Sequence, residues 1–300
     1  MDRAKRVIAL GFFDGVHNGH GALLSKVTQV AKQLDATPAA FTFDRQPAAA
    51  ITGTKVPLLS SSDDRIWLMR HYYGIQEVVV ANFEGMMRMD WEDFITQYLV
   101  RDLGVIHVVA GHDFHFGYMG KGNPQRLADK CRELGIGCDI IGKVAQDGIT
   151  VSSTYIRTLV AQGEMERARE FLGHPHILSD RVVHGKKIGG GILGFPTVNL
   201  RIPERVIVPA FGVYATKVYF KDECHMAVTN VGVRPTVRDN DGRVTVEGFI
   251  LDYDGDLYGE KVRMEFYHRL RGEKKFPSFQ ALSEEIGRNA QQTRAYFQNI

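Results

Sequence analysis

The chain of 300 residues is longer than most single domains, so two domains are the natural expectation. Its 37 Lys and Arg nearly balance 35 Asp and Glu, and the charges are scattered, which argues against a nucleic-acid polymer as the main partner. No apolar run approaches the length of a membrane span, and residues 7–13 form too short a run for a signal peptide. The three cysteines lack CxxC spacing and are typical of reduced thiols in a cytoplasmic protein.

The first half of the chain alternates predicted strands with predicted helices. Short apolar runs rich in branched residues predict strands at residues 7–13, 39–43, 77–81, 105–110 and 139–144. Apolar spacing, capping residues and terminal glycines predict helices at residues 19–34, 62–74, 90–104 and 124–134. This alternation indicates a parallel sheet covered by helices, with ligands bound at the carboxyl ends of its strands.

The second half has a different pattern. Two helices are predicted at residues 153–162 and 164–172, and the segment Gly173-His174-Pro175 follows them. Short alternating strands are then predicted at residues 177–184, 212–220, 224–230, 244–251 and 261–268, before a last helix at 278–297. The predicted fold is therefore an α/β domain at residues 1–175 followed by an antiparallel β-barrel domain with a terminal helix at 176–300.

Residues 11–20, with the sequence GFFDGVHNGH, follow the first strand and open the first helix. A helix N-terminus attracts phosphate, and Gly15 and Gly19 allow the backbone to approach a ligand closely. His17 and His20 are three residues apart, so both can face one anion and stabilise charge that develops on an α-phosphate. Two surface histidines on a turn are the alternative, which the position between strand and helix disfavours.

This stretch resembles the HxGH signature of the nucleotidylyltransferase superfamily, which implies a Rossmann-like first domain. Residues 151–157, VSSTYIR, resemble the ISSTxxR motif of the same family. The resemblance implies that Arg157 acts with His17 and His20 by neutralising triphosphate. It implies nucleotide binding by Gly11, Phe12, Asp14, Gly15, Gly19, Ser153 and Thr154. Ser153 has the alternative role of a helix cap.

Two further segments bear on the flavin. Residues 111–117, GHDFHFG, resemble a loop of bacterial FAD synthetases, which implies flavin contacts by Asp113 and Phe114. A structural turn with a Phe pair in the core is the alternative. Related enzymes read TFDPHP after the second strand, whereas this chain has Arg45 and Gln46 in place of the first proline and the histidine. Glutamine cannot carry the charge that histidine can.

The second half has no GxxxxGK(S/T) loop, so any kinase chemistry there is not of the P-loop type. In the segment GFPTVNL at 194–200, an extended chain places Thr197 and Asn199 on one side, where their oxygens suit Mg²⁺ and phosphate. An ordinary edge strand is the alternative. The segment resembles the GFPTANL signature of riboflavin kinases, which implies a Mg²⁺ and nucleotide site at Gly194, Pro196, Thr197 and Asn199.

Residues 184–191, HGKKIGGG, resemble the glycine-rich loop that covers the phosphates in riboflavin kinases. The resemblance implies nucleotide contacts by His184, Gly185 and Lys186, since glycines give N–H groups access to anions. A flexible hairpin with solvated lysines is the alternative.

Glu247 is the predicted general base. It shares a strand face with Phe249 and Leu251, and a carboxylate between apolar neighbours is partly desolvated, which suits a base. The family's VExHxxD motif gives this glutamate the same role, although Phe249 replaces the usual His. An ion pair at the rim of the site is the alternative. Residues 270–276, LRGEKKF, resemble the family's LRxExKF segment, which implies a flavin contact by Arg271.

Nearly the whole chain thus resembles the bifunctional bacterial riboflavin kinase/FMN adenylyltransferase family. The resemblance implies Mg²⁺-dependent phosphorylation of riboflavin to FMN by ATP, and adenylylation of FMN to FAD. The expected partners are these small molecules, without nucleic acid or membrane, in a monomer or weak homo-oligomer. Two alternatives stay open: a kinase with a weak first domain, motivated by Arg45 and Gln46, and a flavin- or nucleotide-binding regulator without turnover. A regulator has no need of a base such as Glu247.

Overall fold

The computed structural model describes residues 4–183, 197–203, 205–233 and 244–300. Contacts divide the chain into two compact units, Met1–Val56 with Arg65–Ser152, and Pro57–Asp64 with Ser153–Ile300. The helices between residues 153 and 172 group with the second unit. The predicted domain boundary between residues 175 and 176 stays a prediction.

The first unit is built on a five-stranded parallel sheet, as predicted. Its strands are β1 Arg6–Leu10, β2 Thr37–Phe43, β3 Glu77–Ala81, β4 Val105–Gly111 and β5 Gly137–Ile141. Their order in space is β3-β2-β1-β4-β5. The chain adds strands outward from β1 to β3 and then returns to add β4 on the other side. The order therefore reverses between β1 and β4, and such a reversal opens a crevice at the carboxyl ends of the two strands.

Helices connect these strands. They are α1 Asn18–Gln33, α2 Pro47–Thr52, α3 Ser62–Tyr73, α4 Phe83–Met86, α5 Trp91–Asp93 and α6 Pro124–Glu133. The predicted helix at 90–104 begins as α5 and continues as a π-helical segment, Phe94–Asp102. Helix α2 has no buried residue, so no apolar periodicity signalled it. A short hairpin, β6 Ala145–Gln146 and β7 Ile149–Thr150, was also not predicted.

The second unit contains α7 Ser153–Gln162, α8 Met165–Leu172 and an antiparallel sheet. The strands are β8 His176–Arg181, β9 Thr197–Arg201, β10 Gly212–Phe220, β11 Glu223–Val233, β12 Val244–Ile250 and β13 Lys261–Arg271, and the last helix is α9 Phe279–Gln298. Their order is β8-β13-β10-β11-β12-β9. Just beyond β8, the N–H of Val183 donates to the carbonyl of Asn199 over 2.9 Å. This bridge joins the two edges of the curled sheet, in agreement with the predicted barrel.

Gly117 closes the loop after β4 with a φ of 73°, and a Cβ there would lie 2.5 Å from the Cα of Trp91. Gly135 has a similar φ of 69° but open space around it. We expect Gly135→Ala to cost about 1 kcal/mol of backbone strain. Gly117→Ala should cost about 1–3 kcal/mol more, because its methyl group overlaps backbone.

Urea unfolding followed by tryptophan fluorescence tests this comparison, since both tryptophans, Trp67 and Trp91, belong to the first unit. Equal unfolding midpoints for the two variants would show that the loop yields at Gly117 and that its packing against Trp91 is not a constraint.

Candidate active sites

A strained turn, residues 11–17, joins β1 to α1. Phe13, Gly15 and Val16 have φ values of 58°, 72° and 44°. Glycine adopts this region freely, but each of the other two residues costs on the order of 1–3 kcal/mol there. Such strain persists only where the surroundings hold the backbone, and it is concentrated at functional sites.

The structure brings the predicted histidines together at the end of this turn. The rings of His17 and His20 are stacked with centroids 3.6 Å apart. His17 is buried and caps α1, because its Nδ1 accepts a hydrogen bond of 3.3 Å from the N–H of His20. The ring of Phe13 meets His20 edge-on at 5.2 Å. The pair is therefore part of a packed structure and not two solvated side chains on a turn.

Burial lowers the pKa of His20 well below its usual value, and the charges of His17 and Arg65 lower it further. His20 is consequently a neutral imidazole at neutral pH, and it can act on an anion as an N–H donor. Its Nδ1 is buried and has no hydrogen-bond partner among the residues that the structure describes. An unmet buried nitrogen is unfavourable, and a bound phosphate oxygen would satisfy it.

Arg65 was missed by sequence reasoning. It lies in the first turn of α3, after two aspartates, where a solvated charge is the usual case. Its side chain is instead 2% exposed. Nη1 donates to the carbonyl of Phe12 over 3.0 Å, and Nη2 donates to that of Phe43 over 2.9 Å. The guanidinium also lies 4.3 Å from the centre of the Phe12 ring. Arg65 thus links the carboxyl ends of β1 and β2.

Burial lowers the pKa of Arg65 to about 10, although Asp14 and Asp44 act in the opposite direction. The guanidinium therefore keeps its charge at neutral pH. The site beside the histidine pair contains a buried cation, and the two aspartates provide the nearby negative charge.

Asp113 and Phe114, the predicted flavin contacts, differ in their surroundings. Asp113 is exposed just after β4, beside the strand-order reversal. Phe114 packs against the apolar core and stacks on Phe116, with ring centroids 5.5 Å apart. The core packing favours the structural alternative for Phe114, while flavin contact by either residue stays a prediction.

The departure at Arg45 and Gln46 lies at the end of β2. Arg45 forms an ion pair of 2.5 Å with Glu84 on α4. Asp44 accepts a 3.0 Å hydrogen bond from the N–H of Phe83 at the start of the same helix. Gln46 has a buried Oε1 without a donor among the residues described. This chain therefore presents a neutral amide oxygen at the position where the TFDPHP pattern has a histidine.

Val151, which precedes the Ser-Ser-Thr-Arg segment, lies near Gly19 within the first unit. The carbonyl oxygen of Val151 lies 3.7 Å from where a Cβ of Gly19 would stand. Ser153 then begins α7, where Arg157 donates to the hydroxyl of Thr154 over 3.0 Å. The triphosphate contacts of Ser153, Thr154 and Arg157 stay predictions.

In the second unit, strand register places three polar residues in one row. Glu247 on β12 is paired with Asn199 on β9 and with Asn230 on β11. Directly paired residues of an antiparallel sheet point to the same side. Thr197 pairs with Phe249 and lies on this same face. The structure thus brings Thr197, Asn199 and Glu247 together, and it adds Asn230, which the sequence did not single out.

The other face of β12 is the apolar interior, where Val246 and Ile250 are buried. Phe249, on the face of Glu247, packs with an apolar cluster that includes Leu251 and Ala290 of α9. Phe249, which stands at the His position of the VExHxxD motif, is therefore part of an apolar cluster in this chain.

Arg271 is held against α9. Its Nε donates to Asn289 over 3.2 Å and lies 3.2 Å from a carboxylate oxygen of Glu285. Glu273 approaches Gly232 closely, which places a second carboxylate near Asn230. A flavin contact by Arg271 stays a prediction. The predicted contacts His184, Gly185, Lys186, Gly194 and Pro196 lie outside the described residues.

Within the described ranges, no three His, Cys, Asp or Glu side chains gather as a metal site. Thr197 and Asn199 instead offer a hydroxyl and an amide oxygen on the face that carries Glu247. Such hard donors fit Mg²⁺, which binds few protein oxygens and completes its shell with phosphate and water.

Comparisons with known proteins match both halves. A riboflavin kinase family model matches residues 172–297, and an FAD synthetase family model matches residues 1–155. A Bacillus subtilis protein named bifunctional riboflavin kinase/FMN adenylyltransferase is 34% identical, over 100% of this chain and 95% of its own length. This chain belongs to the bifunctional riboflavin kinase/FMN adenylyltransferase family.

Other relatives support the assignment to the bifunctional family. The protein of the same name from Escherichia coli K12 is 31% identical, over 97% of this chain and 92% of its own. A solved chain from Streptococcus pneumoniae, described as a macrolide-efflux protein, has a TM-score of 0.83 and 26% identity, and the match covers 98% of this chain and 95% of that one. Among the residues described for the present family member, no helix is long and apolar enough to cross a membrane.

The histidine pair gives a direct prediction for titration. We expect the imidazole of His20 to stay neutral at pH 6.5, where a free imidazole is half protonated, because its pKa is lowered in the fold. NMR titration of isotope-labelled histidines measures this, and His20→Ala assigns the signal by its loss. A His20 midpoint at or above 6.5 would contradict the burial that the structure gives this ring.

Proposed function

We propose that this chain phosphorylates riboflavin to FMN with ATP in its second unit and adenylates FMN to FAD with ATP in its first. The observation that carries the proposal is that one chain contains both sets of residues that are predicted to bind phosphate. The stacked His17 and His20 lie at the carboxyl end of a parallel strand, and Glu247 and Asn199 are paired across two barrel strands. The names of the full-length relatives support the two activities together.

In the kinase reaction, Glu247 accepts the proton of the terminal hydroxyl on the ribityl chain of riboflavin. The hydroxyl oxygen then bonds to the γ-phosphorus of ATP, and ADP leaves with the electrons of the broken bond. Thr197 and Asn199 hold the phosphates on the same face of the barrel. Mg²⁺ bound by their oxygens would supply positive charge for the γ-phosphoryl group.

In the adenylyl transfer, a phosphate oxygen of FMN bonds to the α-phosphorus of ATP, and pyrophosphate leaves. His17 and His20 would donate N–H groups to the oxygens on which charge develops. Because His20 is held neutral, hydrogen bonding is its proposed contribution, in place of a full positive charge.

A second candidate is a riboflavin kinase whose first unit binds nucleotide but adenylates slowly. The observation that favours it is Gln46, whose buried oxygen replaces a titratable ring at the end of β2. Separation of the flavins after incubation with riboflavin, Mg²⁺ and ATP tests both candidates. FAD supports the bifunctional enzyme, FMN alone supports the second candidate, and neither product rejects both.

His20→Ala should abolish FAD formation and leave FMN formation within about twofold of the original chain, because it removes an N–H donor of the first site alone. Chromatography of the flavins measures both products in one sample. His71→Ala, an exposed histidine on α3, is the matched control and should form both. Loss of FMN together with FAD would argue against separate sites.

Glu247→Gln should slow phosphorylation of riboflavin at least about 100-fold, because an amide cannot accept the proton. Riboflavin binding, followed by fluorescence titration, should change by less than about threefold, because the side-chain shape is retained. Glu284→Gln on α9 is an exposed control. A rate for Glu247→Gln equal to that of the control would reject Glu247 as the base.

A further inference from the structure

Arg65 is an expensive residue to bury. Removal of a guanidinium from water is unfavourable unless partners compensate, and an apolar side chain of similar size would fill the space without that cost. Its described hydrogen bonds go to the two backbone carbonyls of Phe12 and Phe43, and its Nε is buried without a partner within the described part of the chain. The charge therefore calls for an explanation other than stability alone.

The carbonyl of Phe12 lies immediately before the strained residues of the turn. It accepts two hydrogen bonds, from Nη1 of Arg65 at 3.0 Å and from the hydroxyl of Thr42 at 2.9 Å. Both donors are buried. The other terminal nitrogen of the guanidinium, Nη2, donates to the carbonyl of Phe43. Two donors on one carbonyl, tied to a neighbouring strand, fix the direction in which the chain enters the turn.

The direction of the chain at Phe12 determines where the turn places the histidine pair. Phe13 follows the held carbonyl in the left-handed region and places its ring against His20. Val16, also in that region, precedes His17, which caps α1. A backbone that costs several kcal/mol in total holds its shape only when it is over-determined. The two hydrogen bonds to the carbonyl of Phe12 are in a position to hold the backbone of the turn in this shape.

We propose that Arg65 is a positioning residue for adenylyl transfer, which holds the carbonyl of Phe12 so that the strained turn presents His17 and His20 to the reacting phosphate. This inference rests on the proposed function of the first unit. Arg65 acts through backbone and through its field, and it does not itself transfer a group.

The charge of Arg65 also acts directly on the histidine pair, since it is one of the causes that lower the pKa of His20. The charged and titratable groups concerned are His17 at the start of α1 and Arg65 on α3, with Asp14 in the turn and Asp44 after β2 interacting with Arg65. Removal of the Arg65 charge should therefore raise the pKa of His20.

Three variants separate hydrogen bonding from charge. Arg65→Met removes both the hydrogen bonds and the charge. Arg65→Lys keeps the charge but cannot donate to the carbonyls of Phe12 and Phe43 at the same time in the manner of a guanidinium. Thr42→Val removes only the other donor to the carbonyl of Phe12, with little change in side-chain shape. Arg70→Met, an exposed arginine on the same helix, is the matched control. The full chain is used throughout, and FMN formation from riboflavin in the second unit serves as an internal standard.

We expect Arg65→Met to lower kcat for FAD formation from FMN and ATP by about tenfold or more, with KM changed by less than about threefold. Arg65→Lys should recover part of that loss, and Thr42→Val should lose several-fold. FMN formation should stay within about twofold in every variant. A purely structural role predicts instead an unchanged kcat per folded molecule, and that result would overturn the inference.

Thermal melts give the folded fraction, and if Arg65→Met does not fold, Arg65→Lys and Thr42→Val decide the question by the same kcat criterion. The histidine titration is independent of turnover. A raised pKa of His20 in Arg65→Met, with no change in Arg70→Met, supports the coupling, and an unchanged His20 overturns it. If the original chain forms no FAD, the proposed function fails, while the titration still tests the coupling.

Discussion

Backbone pairing in fixed register is the constraint on which both candidate sites depend. In the first unit, parallel pairing brings every strand's carboxyl end to one edge, so residues far apart in sequence meet there. In the second unit, antiparallel pairing places Asn199, Glu247 and Asn230 in one row across three strands. Hydrogen bonds between main chains of paired strands thus determine where the residues of each site lie, and the side chains project from those positions.

The first site also shows how a fold can set the protonation state of a residue. A pair of imidazoles beside a phosphate suggests two positive charges. Burial and a neighbouring guanidinium instead hold His20 neutral. Positive charge in this region is concentrated on Arg65, whose pKa stays above neutrality. The positive charge therefore lies on Arg65, which holds the turn, while a neutral ring such as that of His20 can donate an N–H group.

Local sequence patterns predicted the elements and the motifs at their ends. Strand β3 and helix α7 were predicted to the residue, because apolar runs and capping residues mark them. The fold class followed from the order of the elements. Residues 111–117 were identified as a loop, but sequence could not decide between flavin and core as the partner of Phe114, because both choices suit an aromatic ring.

What sequence could not provide were contacts made by polar residues at long range. Arg65 meets Phe12 across 53 positions, and its own neighbourhood of serine and aspartate looks like an ordinary solvated helix start. Asn230 gains significance only from the register that sets it beside Glu247. In both cases the informative property is burial or pairing, which no local pattern encodes.

The bridge between Val183 and Asn199 has a mechanical consequence. Asn199 joins the edges of the barrel with its main-chain carbonyl, while its side chain lies in the row with Glu247. Asn199 is therefore both a member of the seam of the barrel and one of the two proposed phosphate ligands. Edges of a sheet fray before its centre, so local opening that frees β9 from both Val183 and β12 would separate Asn199 from Glu247 while the central strands stay paired. Phosphoryl transfer would then be lost when the seam opens, before the unit as a whole unfolds.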